Sequence, residues 1–323
     1  MARAGTTLAM GASEAVAGRF VQAPFGHALI EVARARPEVL GLTADLGKYT
    51  DIQPFAEAFP DRFFNVGMAE QNLIAVAAGL AKCGKIPYCT TFGVFATRRA
   101  YDFIAIACAH SNLPVKIFAA LPGLTTGYGA THQAFEDAML MRAIPNMTVI
   151  DPCDATEIMQ ATHAAAEIEG TVYVRIQRGN VPVVLDPAGY RFAPGKAKRL
   201  RNGKDVGVIA TGLMTARALA AAERLAPDGL GVAVLHVPTL KPFDAETVAT
   251  FAASVPRLVT AENHVASGGL ASLVVEALYE RGIHRPLRRV GLPDRFPECG
   301  SVPHLQEKYG LSVEGVARAI KEN

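Results

Sequence analysis

The sequence predicts an α/β protein with two domains, each a mainly parallel sheet flanked by helices. Two observations support this fold class. Short apolar runs rich in β-branched residues alternate with longer helical patterns, and the alternation occurs twice, before and after a polar connector. Strand-like runs that are apolar throughout are typical of parallel strands covered on both faces. In such sheets, functional groups gather at the carboxyl ends of the strands.

The first alternation extends from residue 39 to residue 176. Strands are expected at 39–44, 87–92, 115–120, 147–151 and 172–176, and helices at 69–82, 98–110 and 154–169, with a further helical run in "AFEDAMLMRAI". The helix at 69–82 is rich in Ala and Leu and is stopped by "GKIP". Asp154 is expected to cap the helix that follows it. The Gly- and Pro-rich stretch 121–133 predicts an irregular loop.

The second alternation follows a connector at 186–204. Its basic cluster "KAKRLRNGK" is interpreted as a solvated linker. Runs such as "VGVIAT", "LMTARALAAAERL", "GVAVLHV" and "LASLVVEALYERG" then repeat the α/β rhythm. The predicted organisation is a loose N-terminal segment (1–20), a first domain (21–185), the connector (186–204) and a second domain (205–323).

Composition and net charge argue against several classes of protein. The chain has 323 residues, half of them hydrophobic, and a net charge of +2, which offers no overall argument for a nucleic acid or a membrane partner. Its five scattered cysteines form no CxxC pair, so reduced thiols in a cytoplasmic protein are expected. The N-terminal stretch makes a poor signal peptide, and no apolar run approaches the length of a bilayer span.

One carboxylate heads an almost wholly apolar segment, "FNVGMAEQNLIAVAAGLAKCGKIPYCTTFGVF" (64–95). A buried acid is costly unless it has a partner or a task, so Glu70 is a candidate site residue. The residues alone leave two interpretations open. Glu70 caps the positive end of helix 69–82, or it serves in chemistry. Both can hold, because the start of the helix would fix the side chain.

Several motifs, in order, resemble the C-terminal half of transketolases, particularly the small subunit of split transketolases. They are "FNVGMAEQNLIAVAAGLA", "GATHQAFEDAMLMRAIPNMTVIDPCDATE", "PTLKPFD", "ENHVASGGLAS" and "GLPDRFPECG" with "LQEKYGL", and they cover nearly the whole chain. The resemblance implies a pyrimidine-binding domain of a thiamine-diphosphate enzyme followed by a transketolase C-terminal domain.

The resemblance also implies roles for residues near the cofactor. Glu70 would bond the ring nitrogen of the aminopyrimidine and favour its imino tautomer, which removes the C2 proton of the thiazolium. An apolar surrounding suits this task, because desolvation raises the pKa of a carboxyl group. Phe92 and Phe95 match aromatic positions that pack against the pyrimidine, although two aromatics after a strand are also common in cores. Arg98 lies where a further aromatic is expected, and its role stays open.

His132 matches the family's active-site histidine near the substrate carbonyl. Imidazole passes protons near neutral pH, which suits carbonyl addition and C–C cleavage. The alternative is a loop histidine that caps a helix at 133–143. Gln133 and Glu136 are expected to support the loop.

Two further charged residues match family positions. Arg178 matches an arginine that binds the anionic tail of the sugar, since guanidinium bonds phosphate through two parallel hydrogen bonds. A salt bridge at the rim is the alternative. Asp45 matches an acid near the cofactor pocket, and a structural loop role is equally consistent.

The substrate end departs from an ordinary transketolase. Tyr128 replaces the aspartate that sugar-phosphate enzymes place before "THQ", and Ala120 stands where a histidine is expected. Gln22 falls at an expected arginine position, and Tyr49, beside Lys48, at that of a phosphate-binding serine. Loss of a hydroxyl partner changes discrimination strongly. We therefore expect ketol transfer with non-classical sugar specificity, and Tyr128, Gln22 and Lys48 are candidate substrate contacts.

Thiamine-diphosphate enzymes hold Mg²⁺ and the diphosphate with a "GDG...N" segment, and this chain has no GDG. The resemblance implies that a partner subunit, equivalent to the N-terminal half of a transketolase, supplies that site. An α2β2 assembly follows from the family and from the closed symmetry of most oligomers. The expected function is a thiamine-diphosphate-dependent transketolase subunit that transfers a two-carbon ketol unit from a ketose to an aldehyde.

Two alternatives stay open. The β subunit of a 2-oxo-acid decarboxylase shares this architecture, although "ATHQAFEDA" and "EKYGL" favour transketolase. A non-catalytic subunit derived from the fold is permitted by the altered substrate positions. It is disfavoured by the intact candidate residues Glu70, Phe92, Phe95 and His132.

Overall fold

The computed structural model of the chain describes residues 18–322, so most of the expected loose segment 1–20 lies outside the described residues. The strands are β1 (Phe20–Gln22), β2 (Val39–Thr43), β3 (Phe63–Asn65), β4 (Ile86–Phe92), β5 (Lys116–Ala120), β6 (Met147–Ile150), β7 (Thr171–Ile176), β8 (Asn180–Pro182), β9 (Lys198–Arg201), β10 (Val206–Ala210), β11 (Val232–His236), β12 (Thr239–Lys241), β13 (Leu258–Val265) and β14 (Leu287–Leu292). The helices are α1 (Pro24–Ala35), α2 (Gln53–Ala58), α3 (Glu70–Lys82), α4 (Gly93–Phe103), α5 (Asp137–Ala143), α6 (Ala155–Glu167), α7 (Leu213–Leu225), α8 (Ala245–Ala253), α9 (Leu270–Tyr279), α10 (Val302–Lys308) and α11 (Val313–Lys321).

The first sheet has seven strands in the order β12-β6-β7-β5-β4-β2-β3. All its neighbours pair in parallel except β12, which pairs antiparallel with β6. Leu73 and Ile74 of α3 lie in one buried cluster, and Phe25 and Leu29 of α1 lie in another. The sheet is therefore covered on both faces, which confirms the predicted α/β class.

The second sheet has five strands in the order β14-β13-β10-β11-β9. Only β9 runs antiparallel to its neighbour. This strand lies within 186–204, where the sequence predicts an irregular connector. Lys198 and Arg199 are exposed while their backbone pairs with β11, so the polar composition conceals an edge strand.

The second half of the chain also contributes to the first sheet. Strand β12 belongs to the second half of the chain by sequence, but it pairs with β6 of the first sheet. The sequence does not predict β12, because three residues followed by Pro242 carry no strand periodicity. The two halves of the chain are thus joined by main-chain hydrogen bonds.

Helix α4 begins earlier than predicted. The sequence predicts a helix over 98–110, whereas α4 begins at Gly93 and continues at Ile104–Ala109 as a wider π-helical segment. The stretch "TTFGVF" resembles the end of a strand by composition, but β4 ends at Phe92 and the chain turns directly into the helix.

Asp154 caps α6 as predicted and accepts a hydrogen bond from the backbone of Glu157 at 2.9 Å. None of the helices in residues 18–322 has the length and apolar character of a membrane span.

Candidate active site

Glu70 is the first residue of α3, and its carboxylate is buried. The residue is 3% exposed although it carries a charge. Both carboxylate oxygens face Nη1 of Arg99, at 3.1 and 3.2 Å. The positive end of α3 favours a carboxylate at this position. Glu70 is thus a fixed acid with one cationic partner.

The guanidinium of Arg99 also covers an aromatic ring. Its central carbon lies 3.9 Å from the ring centroid of Phe95, while half of the Arg99 side chain stays exposed. Arg99 follows Phe95 by one helical turn, so both lie on the same face of α4. The sequence does not predict this pair, because the predicted helix at 98–110 excludes Phe95. The i, i+4 spacing places both residues on one face only when the helix begins at Gly93.

The aromatic residues predicted from the sequence lie together. The ring centroids of Phe92 and Phe95 are 5.7 Å apart. The His132 ring lies 5.4 Å from Phe95 and 6.2 Å from Phe92, and Tyr128 lies 5.4 Å from His132. Phe92 ends β4, so this cluster is at the carboxyl edge of the first sheet, where α/β proteins place their sites.

His132 is held in the loop between β5 and α5. Its Nδ1 lies 2.9 Å from the Thr131 hydroxyl, and its backbone N–H bonds the Gly129 carbonyl. Burial, and then the positive charge of Arg99, lower the pKa of His132. The imidazole is therefore mainly neutral at pH 7 and can accept a proton. Helix α5 begins at Asp137, so the alternative in which His132 caps a helix at 133–143 is wrong.

Arg98 ties α4 to the His132 loop. Its guanidinium pairs with the Glu136 carboxylate and donates to the carbonyls of Ala130, at 2.8 Å, and Gln133, at 3.4 Å. The Gln133 side chain donates to the Thr126 carbonyl at 3.0 Å. The expectation that Gln133 and Glu136 support this loop is confirmed. Arg98 thus brackets His132 on both sides.

Arg98→Met is expected to loosen the His132 loop without unfolding the chain. It removes three loop contacts of a partly exposed side chain, which are worth about 1–2 kcal/mol together. Amide hydrogen exchange across 129–136 should become at least several-fold faster. Glu136→Gln should produce a smaller increase, because Arg98 keeps its two carbonyl partners. Unchanged exchange in Arg98→Met would contradict the role assigned to Arg98.

Arg178 lies next to the same aromatic cluster. Its guanidinium carbon is 5.9 Å from the Tyr49 ring and 6.0 Å from the Phe92 ring. Burial lowers the pKa of Arg178, and the nearby Asp51 opposes this effect. Asp51 accepts the backbone N–H of Gly179 at 2.7 Å, which fixes the chain beside Arg178. A partly buried guanidinium here suits an anionic group.

Three other candidate residues lie in the loop after β2, in the short turn that follows it and on β1. The Asp45 carboxylate accepts from Asn65 Nδ2 at 3.0 Å, a contact that suits a structural role in the loop after β2. Lys48 is exposed in the short turn Gly47–Tyr49. Gln22 is exposed on β1, opposite Asn180 of β8.

Two family models match the chain, the transketolase pyrimidine-binding domain over residues 21–184 and the transketolase C-terminal domain over residues 195–316. The chain belongs to the transketolase family. It is 53% identical to a transketolase family protein of Sinorhizobium fredii, over 98% of this chain and 93% of that protein. It is 42% identical to a 6-deoxy-6-sulfo-D-fructose transketolase subunit of Clostridium sp. strain MSTE9, over 91% of each.

Solved transketolase structures share this fold. A structure described as a split-gene transketolase, inactive β4 tetramer, superposes with a TM-score of 0.87 at 44% identity and covers 94% of this chain and 98% of that one. Transketolase from Campylobacter jejuni superposes with a TM-score of 0.78 at 20% identity, and this chain spans 47% of its length. The predicted resemblance to a split transketolase subunit is confirmed.

The transketolase family implies thiamine diphosphate. The position of Arg99 indicates what kind of group fits against Glu70 and Phe95. Arg99 is a flat N–H donor that lies on Phe95 and bonds the buried Glu70 carboxylate. An aminopyrimidine is also flat and presents N–H groups, so these residues fit that half of the cofactor. Within residues 18–322, no group of three or more His, Cys, Asp or Glu is placed to hold a metal ion.

Proposed function

We propose that this chain is the pyrimidine-binding subunit of a thiamine-diphosphate-dependent transketolase, which transfers a two-carbon ketol unit from a ketose to an aldehyde. One observation carries the proposal. The buried carboxylate of Glu70 bonds Arg99, and Arg99 covers Phe95 of the aromatic cluster at the carboxyl edge of the first sheet. Acid, flat apolar surface and proton-accepting imidazole are the parts that the chemistry requires.

Glu70, Phe92 and Phe95 would hold the aminopyrimidine. Phe92 and Phe95 offer a flat apolar surface, and Glu70 offers an acceptor that cannot turn away because α3 begins at that residue. Burial keeps water from Glu70, so its carboxylate would bond the ring of the cofactor without competition from solvent. The bound cofactor supplies the electron sink for cleavage and formation of the C–C bond.

His132 would move a proton at the substrate. Its ring faces Phe95 and Tyr128, and its lowered pKa keeps one ring nitrogen available as an acceptor at neutral pH. The contact from Nδ1 to the Thr131 hydroxyl leaves Nε2 as the atom for exchange with a substrate hydroxyl. Arg98 maintains this orientation through the loop.

Arg178 would bind the anionic tail of the sugar. The rings of Tyr49 and Phe92 lie 5.9 and 6.0 Å from its guanidinium carbon, and Tyr128 is close enough to act on its charge, so the tail would bind next to aromatic side chains. The similarity to a sulfosugar transketolase subunit supports a sugar that carries a sulfonate or a phosphate at its end. Gln22 and Lys48 are further candidate contacts to this group.

A partner subunit would hold the diphosphate and Mg²⁺. The sequence lacks GDG, and the similar split-gene tetramer that consists of β chains is described as inactive. A relative from Methanocaldococcus jannaschii, 39% identical, is named as a transketolase C-terminal section. These similarities support an α2β2 complex with a chain equivalent to the N-terminal half. The buried free thiols of Cys89, Cys108 and Cys153 support a reducing, cytoplasmic compartment.

Reconstitution tests the proposal. The purified chain should not transfer ketol units alone, and activity should appear when it is mixed with a GDG-bearing subunit, thiamine diphosphate and Mg²⁺. Ketoses and aldehydes with sulfonate, phosphate or neutral ends are compared by product analysis. Removal of Mg²⁺ with a chelator should abolish turnover, and its addition should restore it. Turnover by the chain alone would refute the partner requirement, and failure of every reconstituted mixture would count against the proposed activity.

A further inference from the structure

We propose that Arg99 is an internal competitor for the aminopyrimidine site, and that its guanidinium must leave Phe95 and Glu70 before the cofactor ring binds. The inference rests on the proposed function. It goes beyond that function by assigning control of cofactor affinity to a residue of this chain. The competing group is a flat, cationic hydrogen-bond donor, and the group that it excludes is a flat heteroaromatic donor.

The competition follows from shared partners. Nη1 of Arg99 lies between the two Glu70 oxygens, at 3.1 and 3.2 Å, so it occupies the central approach to the carboxylate. The same guanidinium covers the Phe95 ring at 3.9 Å, which is stacking contact. A ring that stacks on this face of Phe95 and bonds Glu70 needs the space that Arg99 fills. The two groups cannot occupy it together.

Arg99 is placed to leave. Half of its side chain is exposed, and it extends from α4 rather than from the sheet, so other rotamers can reach solvent. Glu70, in contrast, is buried and fixed at the start of α3. An ion pair with one exposed member is weak, and a cation over an exposed ring adds a similar amount. Arg99 is therefore a weak competitor that the cofactor can displace.

Calorimetric titration of thiamine diphosphate, with saturating Mg²⁺, into the chain in complex with its GDG-bearing partner tests this inference. Arg99→Ala removes the competitor and should tighten binding roughly tenfold. Arg99→Lys keeps the charge but lacks the flat surface, so its affinity should lie between wild type and Arg99→Ala. Arg34→Ala, at an exposed position on α1, is the matched control for loss of one positive charge and should leave affinity unchanged.

The outcomes separate the inference from the function on which it rests. Equal or weaker binding by Arg99→Ala, with wild-type binding intact, would overturn the inference and leave the proposed function standing. Absence of binding by both wild type and Arg99→Ala would overturn both. If Arg99→Ala proves unstable, the affinity of Arg99→Lys is compared with that of wild type instead. Binding by Arg99→Lys that is no tighter than wild type would overturn the inference.

Discussion

Glu70→Gln is expected to reduce ketol transfer by the reconstituted complex by about 10²–10⁴-fold, the range that a positioned acid or base supplies. The change keeps the size of the side chain and one acceptor oxygen, but an amide cannot share a proton with the aminopyrimidine nitrogen. Deuterium exchange at C2 of the cofactor should slow by a similar factor, because Glu70 acts before any sugar binds. Measurement of both rates distinguishes loss of activation from loss of sugar binding.

Glu262→Gln is the matched control for Glu70→Gln. Glu262 is also a buried glutamate; it lies on β13, and its carboxylate accepts the backbone N–H groups of Leu270 and Ala271 at the start of α9, at 2.7 and 2.9 Å. These hydrogen bonds lie within the second half of the chain. Glu262→Gln should lower the melting temperature and leave the C2 exchange rate unchanged at temperatures where it is folded. Near-wild-type C2 exchange in Glu70→Gln would remove the basis of the proposed function.

The sequence predicts the sheets better than the helix that carries the site. Runs such as "VGVIA" and "VAVL" are apolar throughout, and burial on both faces is the physical reason for that pattern, so their strands are found where expected. "FGVFATRR" has no such pattern, and a helix that begins at a glycine directly after a strand has no side-chain cap to mark it. The contacts of Arg99 with Phe95 and Glu70 could therefore not be predicted from the sequence.

The candidate residues show a similar division. The positions of Glu70, Phe92, Phe95 and His132 follow motifs, and the structure brings them together. Contacts across long sequence separations could not be predicted, because local propensity carries no information about them. The join of β12 to β6 is one example, and the clamp from Arg98 to Glu136 is another.

Arg175→Met is expected to produce the largest loss of stability. Arg175 is 2% exposed and holds two buried carboxylates. Its guanidinium bonds both oxygens of Asp137, at 2.9 and 3.0 Å, and Oδ2 of Asp151 at 2.7 Å. It also donates to the Asn263 carbonyl at 2.9 Å, which links the first half of the chain to the second. Removal of one partner of a buried ion pair costs about 3–5 kcal/mol, because the remaining charges stay buried without compensation.

The pH dependence of that loss tests its cause. Burial raises the pKa of Asp151 and Arg175 opposes this effect, so in Arg175→Met the folded-state pKa of Asp151 should lie above its value in the unfolded chain. The contribution of Asp151 to the stability of the variant should then be fully present below the pKa of an unfolded aspartate, about 4, and should be lost as pH rises through the raised folded-state pKa. Arg217→Met is the control, because Arg217 is equally buried but bonds the neutral groups of Leu311 and Gln306. Urea unfolding should show that Arg175→Met loses more free energy of unfolding at pH 8 than at pH 5. Arg217→Met should lose the same amount at both pH values. If Arg175→Met lost the same free energy of unfolding at pH 5 as at pH 8, packing rather than charge would account for the contribution of Arg175.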